Sequence, residues 1–148
     1  AGARVLRPTN MVGAPAHGAL GDQAGLIFLD LCRQAAREGR MAMRNDGKSY
    51  RDILAFPNAI AAVRQLAEAG VPAHRVFNLA AGRAVTLAEI AEGIASEAPG
   101  AVEIAFGDGT DAYRDAFDVD ISRLTGLGWH PGTSFRAEVA RSLELFRP

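Results

Sequence analysis

The chain has 148 residues, 49% of them hydrophobic and 22% charged, which fits one globular domain with a core of its own. Sixteen basic residues against seventeen acidic ones leave a formal net charge of -1, so no overall field draws the chain to nucleic acid or to an anionic membrane surface. No run approaches the roughly 18 apolar residues of a membrane span, the first residues lack the order of a signal peptide, and the single cysteine, Cys32, excludes an internal disulfide, so a cytoplasmic protein is expected.

In chain order, "RVLRPTNMVG" (Arg4 to Gly13) reads as a buried strand running into a polar, glycine-marked loop. A strand of that kind sits inside a sheet, and it begins within three residues of Ala1, which suggests a fragment or a processed product. "APAHGALGDQAG" follows as a loop with three glycines and one proline. From Leu26 to Glu38 the residues Ile27, Phe28, Leu31, Cys32, Ala35 and Ala36 recur at helical spacing, Gly39 is a natural stop, and Cys32 reads as a small core hydrophobe.

"MAMR" and "YRDILAF" are predicted strands separated by the turn "NDGKS". Pro57 suits a first helical turn, after which Ile60, Val63, Leu66 and Ala67 form an apolar stripe while Arg64, Gln65 and Glu68 face water. "RVFNLA" repeats the pattern of the opening strand and turns at Gly82. Thr86 and Glu89 are spaced for a reciprocal capping box, with Val85 and Ile90 as its apolar staple, so a helix runs to about Ala98.

"AVEIAF" is a strand by alternation, "GDGTDAYRDA" a polar loop, and "DISRLTGLGW" a short helix stopped by glycine. A last helix starts at Thr133 or Ser134 and buries Phe135, Val139, Leu143 and Phe146. Alternating strands and helices give an α/β fold in which the first strand and "RVFNLA" are central and parallel. "MAMR", "YRDILAF" and "AVEIAF" are assigned to a second, smaller layer.

The usual catalytic arrangements are missing from the sequence. His17, His74 and His130 are far apart and no paired-cysteine spacing exists, which argues against a metal site. Gly13-x-x-x-x-Gly18 continues into Ala19 and Leu20 and so lacks the lysine and hydroxyl of a phosphate loop; no Gly-x-Gly-x-x-Gly follows a strand. Polar residues at strand ends are more telling, because ligands of open parallel sheets gather beyond the carboxyl ends of strands, where Thr9, Asn10 and Asn78 would project. The alternative is that Asn10 and Asn78 bond nearby backbone. Arg51 either aims its fork into a cleft or lies at the surface beside Asp52, and Trp129 reads as a packing anchor.

Taken in order, "RVLRPTNMVGAP", "GKSYRDILAFPNAIAAV", "VFNLAAGRAVTLAEIAEGI" and "FDVDISRLTGLGWHPGTSFRAEVARSL" resemble the second half of the NAD-dependent epimerase/dehydratase family, the extended short-chain dehydrogenases that act mainly on nucleotide sugars. The resemblance implies the last strands of a Rossmann-like parallel sheet, from 1–13 and about 52–82, plus a small mixed α/β substrate-binding lobe from the rest. It implies NAD or NADP held mainly by an N-terminal half not in this sequence. A sugar nucleotide or related hydroxylated substrate and a homodimer complete its implied partners.

By position, Pro8 and Thr9 resemble the segment passing the nicotinamide, Asn10 a substrate contact and Arg51 a diphosphate contact. The family's second clamp arginine is missing or displaced here, and Arg114 stands nearest to its place, among Asp108, Asp111 and Asp115. Neither Tyr50 nor Tyr113 is followed four residues on by a lysine, so no catalytic acid or base is assigned. Two readings follow: the substrate-binding part of an NAD(P)-dependent epimerase, dehydratase or reductase, or a non-catalytic ligand-binding or assembly module derived from one. A structural dimerising domain is a third.

Overall fold

The computed structural model describes residues 3–15, 27–70 and 73–147. Of the glycine-rich loop expected over 14–25, all but its first two residues lie outside them, with His17, as does Leu26. The described elements are β1 (Val5–Pro8), β2 (Asn10–Val12), α1 (Ile27–Glu38), β3 (Arg40–Ala42), β4 (Tyr50–Ala55), α2 (Phe56–Glu68), β5 (Val76–Leu79), β6 (Ala84–Thr86), α3 (Leu87–Glu97), β7 (Glu103–Ala105), α4 (Ser122–Thr125) and α5 (Phe135–Glu144). Among the described residues no helix is long and apolar enough to cross a membrane.

The strands form three small sheets with the orders β1-β5, β2-β4-β6 and β3-β7. β1 and β5 are parallel, Val5 opposite Val76 and Pro8 opposite Leu79, as the repeated pattern of the two segments implies. The opening extended run is divided at Thr9: its second piece leaves β5 and pairs parallel with β4, Asn10 opposite Ile53. β4 therefore lies between β2 and β6 and does not join "MAMR" and "AVEIAF", which pair with each other as β3 and β7. β6, antiparallel to β4, is a strand that the sequence reading missed, because its three residues carry too short a pattern.

Helix boundaries follow local chemistry. Gly39 adopts φ 62° after α1, a conformation that glycine enters without strain. Both bonds of the capping box at α3 are made, Glu89 N to Thr86 Oγ1 at 3.1 Å and Thr86 N to Glu89 Oε2 at 2.7 Å. Ser134 caps α5 through the Ala137 amide. The end of α2 is held by Arg4, whose guanidinium donates to the carbonyls of Leu66, Ala69 and Gly70, a cation on the negative end of a helix.

Two cores result. One packs α1, α3 and α5 together through residues such as Cys32, Met41, Ile94 and Val139; the other joins α2 to Leu54, Phe77, Leu79, Leu124 and Trp129. Burial pushes the Cys32 thiol up to about 12, so it stays a neutral core group. Trp129 is buried and donates Nε1–H to the Asn58 carbonyl at 3.1 Å, the packing role expected of it.

The predicted stripe of α2 is corrected. Ala59, Ala62 and Leu66 face the core, whereas Ile60 and Val63 are 55% and 53% exposed. They line an open apolar hollow with Leu6, Pro8 and Met11. Val5, expected to be buried, is 48% exposed, because β1 is paired on one edge only among the described residues.

Candidate functional site

The change of partner at Thr9 places the end of β1 and the start of β2 against β4, and Asp52 fastens this corner. Its carboxylate is buried and accepts from the Thr9 hydroxyl at 2.7 Å and from the amides of Ala81 and Gly82, both at 2.8 Å. Those amides follow β5, and Gly82 supplies the positive φ of 94° at the turn. One carboxylate thus joins β1, β4 and the turn after β5, with its desolvation offset by three hydrogen bonds.

Successive residues of a strand point to opposite faces. With the Asp52 side chain buried, Arg51 projects toward a cleft. Arg51 and Asn10 line two adjoining cavities. The first, about 340 Å³, is mostly apolar, with Val12, Phe28, Leu31, Ile53 and Ile90 in its wall and Asp111 beside Arg51. The second, about 430 Å³, lies at the carboxyl end of β1 and is lined by Pro8, Thr9, Asn10, Tyr50, Arg51, Asp52, Tyr113 and Phe117.

Four of the five predicted site residues, Pro8, Thr9, Asn10 and Arg51, therefore meet around one cavity. Thr9 spends its hydroxyl on Asp52, while Pro8 is exposed. The exposed Asn10 donates from Nδ2 to the Asp52 carbonyl at 3.3 Å, which fixes its amide at the rim. Arg51 Nη1 donates to the Tyr50 carbonyl at 2.7 Å, Nη2 lies 3.5 Å from Asp111 Oδ2, and its guanidinium sits 5.3 Å from the Tyr113 ring centroid.

Arg114 is placed elsewhere. It grips Asp46 bidentately at 2.7 and 2.9 Å and lines neither cavity. That guanidinium, helped by the Lys48 amide, holds the Asp46 carboxyl down at about 2. Asn78, the other strand-end amide, donates to the Asp120 carbonyl at 2.8 Å, the structural alternative considered for it.

Tyr113 and Asp111 were missed by sequence reasoning, since they sit in an aperiodic polar loop. The loop's only signal was its run of acidic residues. Among the described residues no lysine lines either cavity, and Arg51 is the one cation there. The arrangement offers a hydrogen-bonding amide, a forked cation, an aromatic face and an apolar recess, a set suited to binding a ligand with polar and apolar parts.

No family model and no curated protein sequence matches the chain. Solved structures do. RMD from Pseudomonas aeruginosa, solved with NADPH, is 22% identical with a TM-score of 0.79, the match covering 96% of this chain and 47% of that one. UDP-glucose 4-epimerase from Thermotoga maritima, solved with UDP-glucose, is 21% identical with a TM-score of 0.74, covering 97% and 45%. TunA, an NAD-dependent NDP-hexosamine 5,6-dehydratase, is 18% identical with a TM-score of 0.75, also covering 97% and 45%. The chain spans less than half the length of each of these proteins, and at such identities the likeness establishes the fold: an α/β arrangement shared with part of the NAD-dependent epimerases and dehydratases.

Proposed function

We propose that the chain is the substrate-binding part of an NAD(P)-dependent epimerase, dehydratase or reductase acting on a sugar nucleotide or related hydroxylated substrate. The observation that carries this reading is the convergence of Asn10 and Arg51, from two parallel strands, on a cleft beyond the carboxyl end of β1. A guanidinium fork and a carboxamide together suit a diphosphate or a polyol, and the apolar recess beside them takes a less polar moiety. The UDP-glucose in the Thermotoga maritima structure supports the substrate class.

In this reading 1–13 and about 52–82, which hold β1, α2 and β5, belong to the Rossmann-like layer, and the rest forms mainly the substrate lobe. Bound NAD or NADP would supply hydride transfer. This chain would contribute only a rim to it, since Pro8 is exposed at the cleft while the Thr9 hydroxyl is committed to Asp52. The second reading is a non-catalytic ligand-binding or assembly module derived from the same family, which would hold its ligand by itself.

Calorimetry of the chain with UDP-glucose and, separately, with NAD tests the proposal. Saturable UDP-glucose binding that Arg51→Met weakens by about tenfold or more is expected, since a charge-assisted hydrogen bond contributes about 1.5–3 kcal/mol. Equal UDP-glucose affinity in the two proteins would contradict it. UDP-glucose binding that an added N-terminal Rossmann half leaves unchanged favours the module, whereas binding that the added half strengthens favours the enzyme part.

A further inference from the structure

We infer that Asp111 is a specificity-determining residue of this site: it is an internal counter-anion for Arg51, which an anionic ligand group must displace and which a neutral hydroxylated group need not. The inference rests on the reading of Arg51 as the anion-binding group.

The pair is built into the fold. Asp111 Oδ2 lies 3.5 Å from Arg51 Nη2 and accepts from Asn45 Nδ2 at 2.8 Å. Asn45 is itself fixed, its Oδ1 taking the Gly47 amide at 3.2 Å and its backbone bridging to Gly109. The loop that carries Asp111 is pressed onto the 44–45 segment so closely that a Cβ on Gly107 or Gly109 would meet the Arg44 carbonyl oxygen at 2.5 or 2.7 Å.

Two residues further on, the Tyr113 ring lies against the same guanidinium, and the Tyr113 carbonyl accepts from the Tyr50 amide at 2.8 Å. Tyr113 takes φ 64° to do so, a strained conformation for a non-glycine residue. The loop therefore holds Arg51 by a carboxylate on one side and a ring face on another.

Arg51 is the one cation lining either cavity among the described residues, and Asp111 and the buried Asp52 stand beside it, so the site offers an anion no excess of positive charge. A diphosphate placed on Arg51 meets the Asp111 carboxylate as a like charge within a few ångströms, and it can reach the second Nη only as that carboxylate retreats. A hydroxyl group meets no such barrier, because it donates to Asp111 and accepts from Arg51 at once. The ion-pair distance of 3.5 Å is longer than a charge-assisted hydrogen bond, which sets the expected penalty in the range of an exposed pair.

The test is calorimetry of the whole chain at low ionic strength with two probes, UDP and uridine, on the unaltered protein, Asp111→Asn, Asp111→Ser and Arg51→Met. Asp111→Asn retains a group that can bond Asn45, and Asp111→Ser repeats the charge removal with a different side chain. Both should bind UDP about fivefold more tightly, the range of an exposed ion pair, and leave uridine within about twofold. Unchanged or weakened UDP binding in both variants, or equal gains for UDP and uridine, overturns the inference. If Arg51→Met leaves UDP affinity unaltered, or no variant binds UDP, the reading of Arg51 has failed instead, and the inference falls with it.

Discussion

The Thr9 hydroxyl donates to Asp52 Oδ1 at 2.7 Å, across the point where the first extended run leaves β5 and joins β4. The same carboxylate takes the Ala81 and Gly82 amides, so its loss strands three donors at a buried corner. Asp52→Ala should lower the urea-unfolding free energy by about 3 kcal/mol or more, and Thr9→Val by about 1 kcal/mol. A loss under about 1 kcal/mol for Asp52→Ala would mean that water replaces the carboxylate there.

Asp46 and Arg114 give a pH signature. The carboxyl is held at about 2, below its ordinary 3.8, first by the Arg114 guanidinium and then by the Lys48 amide. A depressed carboxylate contributes stability that is present above 3.8 and is lost as the pH falls toward about 2. Carbon-detected NMR titration should place the Asp46 midpoint near 2 and move it toward 3.8 in Arg114→Gln. An unmoved midpoint in that variant would show that the backbone amide, not the guanidinium, is responsible.

Asn58 is the hub of the turn before α5. Its Oδ1 accepts from the Gly132 and Thr133 amides at 3.0 and 2.8 Å, and its Nδ2 donates to the Thr133 carbonyl at 2.8 Å. Asn58→Ala leaves those groups without their partner and should cost about 2–4 kcal/mol, with hydrogen exchange at Gly132 and Thr133 accelerated well beyond the global average. Asn58→Asp keeps the acceptor and should retain part of that protection.

Gly13 ends β2's segment at a close approach. A Cβ there would lie 2.8 Å from Glu138 Oε2 and 2.9 Å from Phe56 Cβ, and the latter is tied to the backbone at the start of α2 and cannot swing aside. Gly13→Ala should destabilise the chain by about 1–3 kcal/mol in chemical denaturation. No loss would show that α2 and α5 yield at this point.

Helix limits were legible because their signals are local: the Thr86–Glu89 box, the glycine after Glu38 and the Ser134 cap all act within a few residues. Of the strand partners only β1 and β5 were legible, through their repeated pattern; nothing near Tyr50 or Asp52 specifies that Asn10 lies opposite Ile53, because register is set by packing across distant segments. Ile60 and Val63 obey the helical period, yet the period alone does not choose between the two flanks of Leu66.

The site shows the same division. Asn10 and Arg51 stood at legible strand positions, and the fold brings them together. Arg114 was expected beside them because it stands nearest the place of the family's second clamp arginine, but the chain turns at Tyr113 and its side chain goes to Asp46. Asp111 and Tyr113, in an aperiodic segment, reach Arg51 only through tertiary contacts made by Asn45 and Tyr50.

The central claim is that Asn10 and Arg51 form the ligand-binding edge, and amide chemical-shift mapping with UDP-glucose tests it most directly. Shifts concentrated at Asn10, Arg51, Asp111 and Tyr113, and abolished in Arg51→Met, are the expected result. Saturable shifts centred on the separate hollow near Arg83 and Ser134, with Asn10 and Arg51 unmoved, would contradict it.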